Sequence, residues 1–393
     1  MSAERKRGHG ESGLGVFVWL LAASTTGCMG GLRVNTVATS VDKPSNVAVY
    51  FSVNKDHAPV AGLFEKNFQI SEDGQDLTAD QTKQTLLPRD MVAVHRALLL
   101  VDMSGPVAIG DTRAKIASAV ARFVTKAHAS EPVTVFAFDG GASVKLVGEY
   151  PQGTDDIADI ASLASYTQTD SSSNLNSAIV EALSELDARL MTQQKPIRVG
   201  SLVVFARGPD LAGRVSEDKM TDAIEDSDDL VYTVDVKDGP GFHASRLGRA
   251  GTFTADTIAT IDGTLEHAGE TLAAAVNGYY LLSYCSPARA GDRHFRIKVT
   301  TTDEKGQDVY GTLGSDFDAT GFTSGCDPTT RPRFVIRPKP DAKHERHDDK
   351  DDDHPKHDAS PATSHGAEPA AATPGNDEGD AVVPPPAKPG YAQ

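Results

Sequence analysis

His95 to Gly105 reads HRALLLVDMSG: five consecutive apolar residues, Ala97 to Val101, stop on Asp102, and Met103, Ser104 and Gly105 follow at once. A short continuous apolar run bounded by turn residues reads as a strand buried on both faces. Strands of that kind belong to parallel sheets covered by helices, where neither face meets water. The stop sets a carboxylate and a hydroxyl together at the strand's carboxyl end, the edge at which open α/β sheets hold their ligands.

Working outward, three more stretches read as buried strands: Val133 to Phe138, Ser201 to Phe205 and Leu230 to Val236. Helical periods lie between them. In residues 111–129, Ile116, Val120, Phe123, Val124 and Ala127 fall on one face, and in 174–192 Leu175, Ile179, Leu183, Leu186 and Leu190 do the same. Alternation of this kind predicts a doubly wound, mostly parallel α/β sheet over residues 93–278.

Both flanks read as β. VAVYFSV at 47–53 places Val47, Val49, Phe51 and Val53 on one side, as a half-buried strand requires, and Asn67 to Ser71 follows as a second strand. Pro59 and Gly62 mark a turn, and Glu72, Asp73 and Gly74 mark a hairpin. Residues 41–92 hold too few strands for a core of their own. After the central region, Tyr279 to Cys285 reads as a strand, and in His294 to Thr300 the apolar Phe295, Ile297 and Val299 alternate with His294, Arg296 and Lys298. The expectation is therefore one small β-sandwich, built from 41–92 and 279–336, with the α/β domain inserted in it. Residues 29–40 read as a linker, and 337–393, rich in Pro, Ala, Asp and His, as a disordered tail. Its segment HERHDDKDDDHPKHD is a solvated charge run or a loose site for divalent metal.

Residues 1–28 carry Arg5, Lys6 and Arg7, then the apolar GVFVWLLAA, then Thr25, Thr26, Gly27 and Cys28. The apolar core is too short to span a bilayer and reads as an export signal. Its end resembles a bacterial lipobox, with Thr25 where an aliphatic residue is usual; the resemblance implies cleavage before Cys28 and a lipid on its sulfur. The other reading is a plain signal peptide beside a chance cysteine. If Cys28 is lipidated, Cys285 and Cys326 remain as one pair, either bonded in an oxidising compartment or left as two thiols. The expected location is the cell envelope, at the outer membrane, through that lipid. A net charge of −17 and the absence of a basic stripe argue against nucleic acid as a partner.

The run ALLLVDMSG, the turn DSSSNLNSAI, the strand SLVVFARG and the late NGYYLLSY together resemble a von Willebrand factor type A domain, and the leader from Val47 to Gly74 resembles the β segment that precedes it in secreted bacterial members. The resemblance implies a metal-ion-dependent adhesion site for Mg²⁺ or Mn²⁺. Its first loop is Asp-x-Ser-x-Ser, completed by a threonine before a middle helix and an aspartate after the fourth strand. Asp102 and Ser104 match the first loop, but its third position is Pro106. Ser173 stands for the threonine, and Arg207 for the second aspartate. One carboxylate and two hydroxyls are a poor set for an ion that wants near-octahedral oxygen ligands. The expectation is a degenerate site in which the Arg207 guanidinium bonds Asp102 in place of metal, so that no cofactor is needed. The alternative keeps a weak Mg²⁺ or Mn²⁺ site with Asp210 as the missing carboxylate.

No nucleotide-binding loop, zinc-binding HExxH or serine-nucleophile GxSxG motif is present in the sequence, and Gly8, Gly10 and Gly13 form a chance glycine pattern in the export signal. No histidine, among them His95, His128, His243 and His267, has a context that makes it a base for Ser104. No catalytic residue and no enzymatic activity are expected. The expected role is a lipid-anchored module that binds an envelope or extracellular protein through loops around Ser171, Ser172, Asn174 and Asp210. The alternatives are a structural spacer with an inert sheet edge and a weak metal-dependent adhesion module.

Overall fold

The computed structural model describes residues 31–335 apart from 57, 106–110, 238–241 and 243. The export signal with Cys28, the position of Pro106, His243 and the tail from 337 lie outside the described residues.

The first flank contributes β1 (Arg33–Asp42), β2 (Asn46–Lys55), β3 (Ala58–Pro59), β4 (Phe68–Glu72), β5 (Gln75–Leu77), the one-turn helix α1 (Ala79–Thr82) and β6 (Thr85–Leu87). The central region follows with β7 (Ala93–Asp102), α2 (Asp111–Ala127), β8 (Val133–Phe138), β9 (Lys145–Tyr150), α3 (Leu175–Met191), β10 (Ile197–Phe205) and α4 (Glu217–Asp226). It continues through β11 (Leu230–Val236), α5 (Ala244–Leu247), β12 (Gly251–Ala255) and α6 (Ile261–Asn277). The last flank gives β13 (Tyr279–Cys285), β14 (Asp292–Thr302) and β15 (Asp308–Asp318).

The central sheet runs β12-β11-β10-β7-β8-β9, parallel throughout except for the antiparallel edge strand β9. β10 and β7 are its two middle strands. Ala97, Leu99 and Val101 face the layer of α2 and α6, while Leu98 and Leu100 face α3 and α4, so one unbroken apolar run fills two cores. The chain leaves β7 for β8 on one side and reaches β10 on the other, which makes the carboxyl ends of β7 and β10 the switch point of the sheet.

The flanks interleave as a sandwich. One sheet has the order β1-β2-β13-β6 with β3 beside β2, and the other is β15-β14-β4-β5. Phe51, Val53, Ile70, Leu282, Phe295 and Ile297 meet between them. The turn of the β4–β5 hairpin needs two left-handed residues, and Asp73 (φ 49°) and Gly74 (φ 79°) supply them. Cys285 and Cys326 are joined by a disulfide, which fastens β13 to the segment that follows β15.

Two expectations need correction. β1 begins at Arg33, inside the stretch read as a linker; its polar alternation hides a strand that lies at the edge of its sheet and needs burial on one side only. β2 is not half-buried. Val47, Val49, Phe51 and Val53 face the other sheet, but Ala48 and Tyr50 pack against Val92, Ala93 and Ile197 of the α/β domain. Phe334 closes the same junction, where Ser40 Oγ donates to the Arg333 carbonyl (3.1 Å) and the Arg333 amide donates to Asp42 (3.0 Å). This second face of β2 is what joins the sandwich to the domain.

Candidate site at the carboxyl edge of the parallel sheet

Asp102 ends β7 with no exposed surface. A buried carboxylate must be hydrogen-bonded, and backbone supplies the partners. Oδ1 accepts the Ser104 amide at 2.8 Å and Oδ2 accepts the Arg207 amide at 2.9 Å. Register explains the second bond: Val101 pairs with Phe205, so the chain leaving β10 passes directly beside Asp102. The expected contact between Asp102 and the Arg207 guanidinium is thus corrected. The two residues do meet, but through the backbone of Arg207, and among the described residues no ion pair joins their side chains.

The guanidinium reaches further, over the loop that follows β7. Gly105 has φ +84°, a conformation that favours glycine, and a Cβ there would stand 3.3 Å from Arg207 Nη2, which places the guanidinium over this residue. The Gly105 amide donates to the Ser171 carbonyl (2.8 Å), and Gln168 Nε2 donates to the carbonyls of Met103 (2.6 Å) and Gly105 (2.8 Å). The loop is braced from both sides.

Ser104 and Ser173 are buried near this edge, and Ser173 Oγ has no partner among the described residues. The Ser173 carbonyl accepts the amides of Leu211 (2.8 Å) and Ala212 (2.9 Å), tying the serine turn to the loop after β10. Ser172 donates its amide to Asp170 (2.8 Å), and together with its hydroxyl holds that carboxyl below its ordinary range. Asn174 Nδ2 donates to the Gly141 carbonyl (2.7 Å). Asp210 is committed elsewhere: its oxygens accept the amides of Asn176 (3.2 Å), in the first turn of α3, and Gly213 (2.8 Å).

Asp139 is the residue that sequence reading missed. It follows β8 as Asp102 follows β7, and an apolar strand ending VTVFAF before Asp139 and Gly140 was the available signal. Its buried carboxylate accepts the amides of Gly141 and Thr169, both at 2.6 Å, and the Tyr166 hydroxyl at 3.1 Å, with Lys145 Nζ 3.6 Å away. Burial and this carboxylate push the Tyr166 phenol up. Two carboxylates thus stand at adjacent strand ends, each tied to the loops that follow rather than to the other.

The donor set does not suit a divalent cation. Asp102 is the single carboxylate of the expected set, both of its oxygens hold backbone amides, and the guanidinium of Arg207 brings a positive charge to the same loop. Among the described residues no group of three or more His, Cys, Asp or Glu side chains is placed to hold a metal ion. What the edge offers instead is shape and one apolar contact. Leu211 is 69% exposed, on a loop fixed at both ends by Ser173 and Asp210.

No family model matches the chain, and no curated protein does. The solved structures to which it is similar include von Willebrand factor type A domains. A von Willebrand factor type A protein from Catenulispora acidiphila is 9% identical, with 72% of each chain covered and a TM-score of 0.37. Manganese-loaded TRAP protein of Plasmodium vivax is 11% identical over 61% of this chain and 97% of its own, at a TM-score of 0.35. The type A domain of SpRpn10 is 11% identical over 44% of this chain and 94% of its own, at a TM-score of 0.33.

Proposed function

We propose that this chain is a non-catalytic, lipid-anchored envelope protein that binds another protein at the carboxyl edge of its parallel sheet, without a resident metal ion. The observation that carries the reading is Leu211, an exposed leucine on a braced loop next to Arg207 and the serine turn. A large apolar side chain held in water by a fixed loop is a contact in waiting, and recognition residues concentrate on loops presented by rigid scaffolds. Arg207 adds a charged neighbour, and its position over Gly105 supports binding that does not pass through a metal.

Nothing at this edge supports covalent chemistry. Ser104 lies at the end of β7, whereas His95 lies near its start, with its ring bonded to Tyr50. Lipid anchorage rests on the lipobox-like sequence before Cys28 and on the disulfide, which takes up the other two of the chain's three cysteines.

Crosslinking and capture from intact envelopes tests the function, comparing the wild type with Leu211→Ala and Arg207→Asp. The expected result is one protein recovered with the wild type and reduced about tenfold or more with either variant, the loss typical of a central interface residue. Equal recovery with all three would favour a structural spacer whose sheet edge is inert. Mass spectrometry of the mature N-terminus tests the anchor: an unmodified terminal residue would remove the lipid from the proposal.

A further inference from the structure

A cleft of about 370 Å³ opens where the sandwich meets the amino ends of the parallel strands, at the far end of β7 from Asp102. Its walls include Leu86, Leu87, Arg89, Asn277, Tyr279 and Tyr280. The volume is that of a ligand pocket, and junctions between folded units are where such pockets concentrate.

The backbone of the cleft is biased toward a strand. β13 pairs with β2 along its whole length but with β6 only from Leu281 to Ser283, because β6 stops at Leu87 and Pro88 turns the chain away. The Gly278 carbonyl accepts the Val53 amide of β2, and along an antiparallel strand alternate residues face alternate neighbours. Gly278 and Tyr280 therefore bond toward β2. Tyr279 turns its own N–H and C=O to the side that β6 has vacated, which is the side of the cleft.

The charge of the cleft is biased toward an anion. Arg89 Nη2 donates to Asn277 Oδ1 at 2.8 Å, which fixes the guanidinium and uses one of its five N–H groups. Among the described residues no carboxylate makes an ion pair with it. Glu131 is the acidic group close enough to feel it, and burial keeps that carboxyl protonated at neutral pH. On a chain of net charge −17, a guanidinium without a carboxylate at the wall of a cleft is a place for a ligand to supply one.

We propose that this cleft binds the free carboxyl terminus of an extended peptide whose last residue is apolar. The terminal carboxylate meets Arg89, the last side chain lies against Leu86, and the preceding peptide group pairs with the N–H and C=O of Tyr279. Inorganic phosphate would use the first of these contacts, and a free fatty acid the first two. A peptide terminus uses all three.

Fluorescence anisotropy with the purified full-length protein at pH 6.5 tests the assignment. The probes are a labelled pentapeptide ending in valine and leucine with a free carboxyl group, the same peptide amidated, and octanoate as competitor. The expected result is saturable binding of the acid, weakened about tenfold or more by amidation, as for loss of a charge-assisted hydrogen bond. Arg89→Met should weaken the acid by a similar factor, and octanoate should displace it only in large excess. Equal binding of acid and amide would overturn the proposal, as would displacement by equimolar octanoate or no binding at millimolar peptide. If Arg89→Met fails to fold, the acid and amide comparison on the wild type still decides.

Discussion

Replacing Glu131 by glutamine should abolish most of the loss of stability that this protein suffers as pH rises from 5 to 8. Glu131 follows α2, its amide donating to the Ala127 carbonyl (3.3 Å), so its carboxyl sits at the negative end of a helix and is 1% exposed. Neither oxygen has a hydrogen-bond partner among the described residues. Burial pushes its pKa up from 4.5 to about 8, outweighing Arg89 and Arg96, which act in the opposite sense. The folded state then keeps a proton that the unfolded chain has released. The stabilising contribution is complete below pH 4.5 and is lost as pH rises through about 8, at about 1.4 kcal/mol per pH unit.

His95 works the other way. Its ring meets the Tyr50 hydroxyl at 2.7 Å, and burial, with Arg89 adding to it, takes its pKa from 6.5 down to about 3. Stability from this group is present above pH 6.5 and is lost as pH falls toward 3. Between pH 4.5 and 6.5 the two slopes cancel; above 6.5 Glu131 acts alone among this pair. Glu72, also raised by burial, adds to the fall at higher pH but is common to both proteins. The difference between Glu131→Gln and wild type therefore isolates the one group. Urea denaturation at pH 5, 6.5 and 8 should show the variant gaining about 3 to 4 kcal/mol on the wild type over that range, the slope given above falling off near each pKa. Curves that stay parallel within about 1 kcal/mol would refute the reasoning, because they would mean that Glu131 titrates alike folded and unfolded.

Three further outcomes follow from the same structure. Arg207→Asp restores a carboxylate at the switch point and removes the guanidinium over Gly105; isothermal titration should then detect Mg²⁺ or Mn²⁺ binding in the variant and none at micromolar ion in the wild type. Binding by the wild type that Asp102→Ala abolishes would sink the metal-independent reading. Phe334→Ala empties a buried position at the junction and should cost about 3 kcal/mol in urea denaturation, the lower end for a buried phenylalanine; no measurable loss would mean that the junction holds without it. Replacing Cys285 and Cys326 together by serine opens a loop of 41 residues and should lower stability by about 4 kcal/mol in the chain-entropy account, read as a shift of the denaturation midpoint that reductant reproduces in the wild type.

The central domain was legible because its signals are local. Ala97 to Val101 must be buried on both faces, Leu175 to Leu190 must face one way, and the Asp73–Gly74 pair must turn, whatever the rest of the chain does. The sandwich was legible in part, since Phe295, Ile297 and Val299 declare one buried face. β1 did not declare itself, because an edge strand buries one side and its outward residues look like a linker. The junction was hidden for a different reason. Tyr50 stands between apolar Val49 and Phe51 as a solvent-facing residue does, His95 lies beside the charged Arg96, and Glu131 resembles any charged residue in a turn; only the docking of β2 on the domain converts these positions into buried ones.

The carboxyl edge shows the limit most sharply. Sequence names the side chains at the ends of β7 and β10, and chemistry then pairs the carboxylate of Asp102 with the guanidinium of Arg207. Strand register makes a different choice. It brings the Arg207 amide to Asp102 first, at 2.9 Å, and leaves the guanidinium a full side chain's length onward, over Gly105. A substitution at that strand end that keeps the amide therefore keeps the hydrogen bond to Asp102, which makes the charge at position 207 free to vary without loss of the fold. Loss of partner capture by Arg207→Asp with unchanged stability would separate recognition from folding at this position, and a large stability loss would show that the guanidinium holds the loop as well.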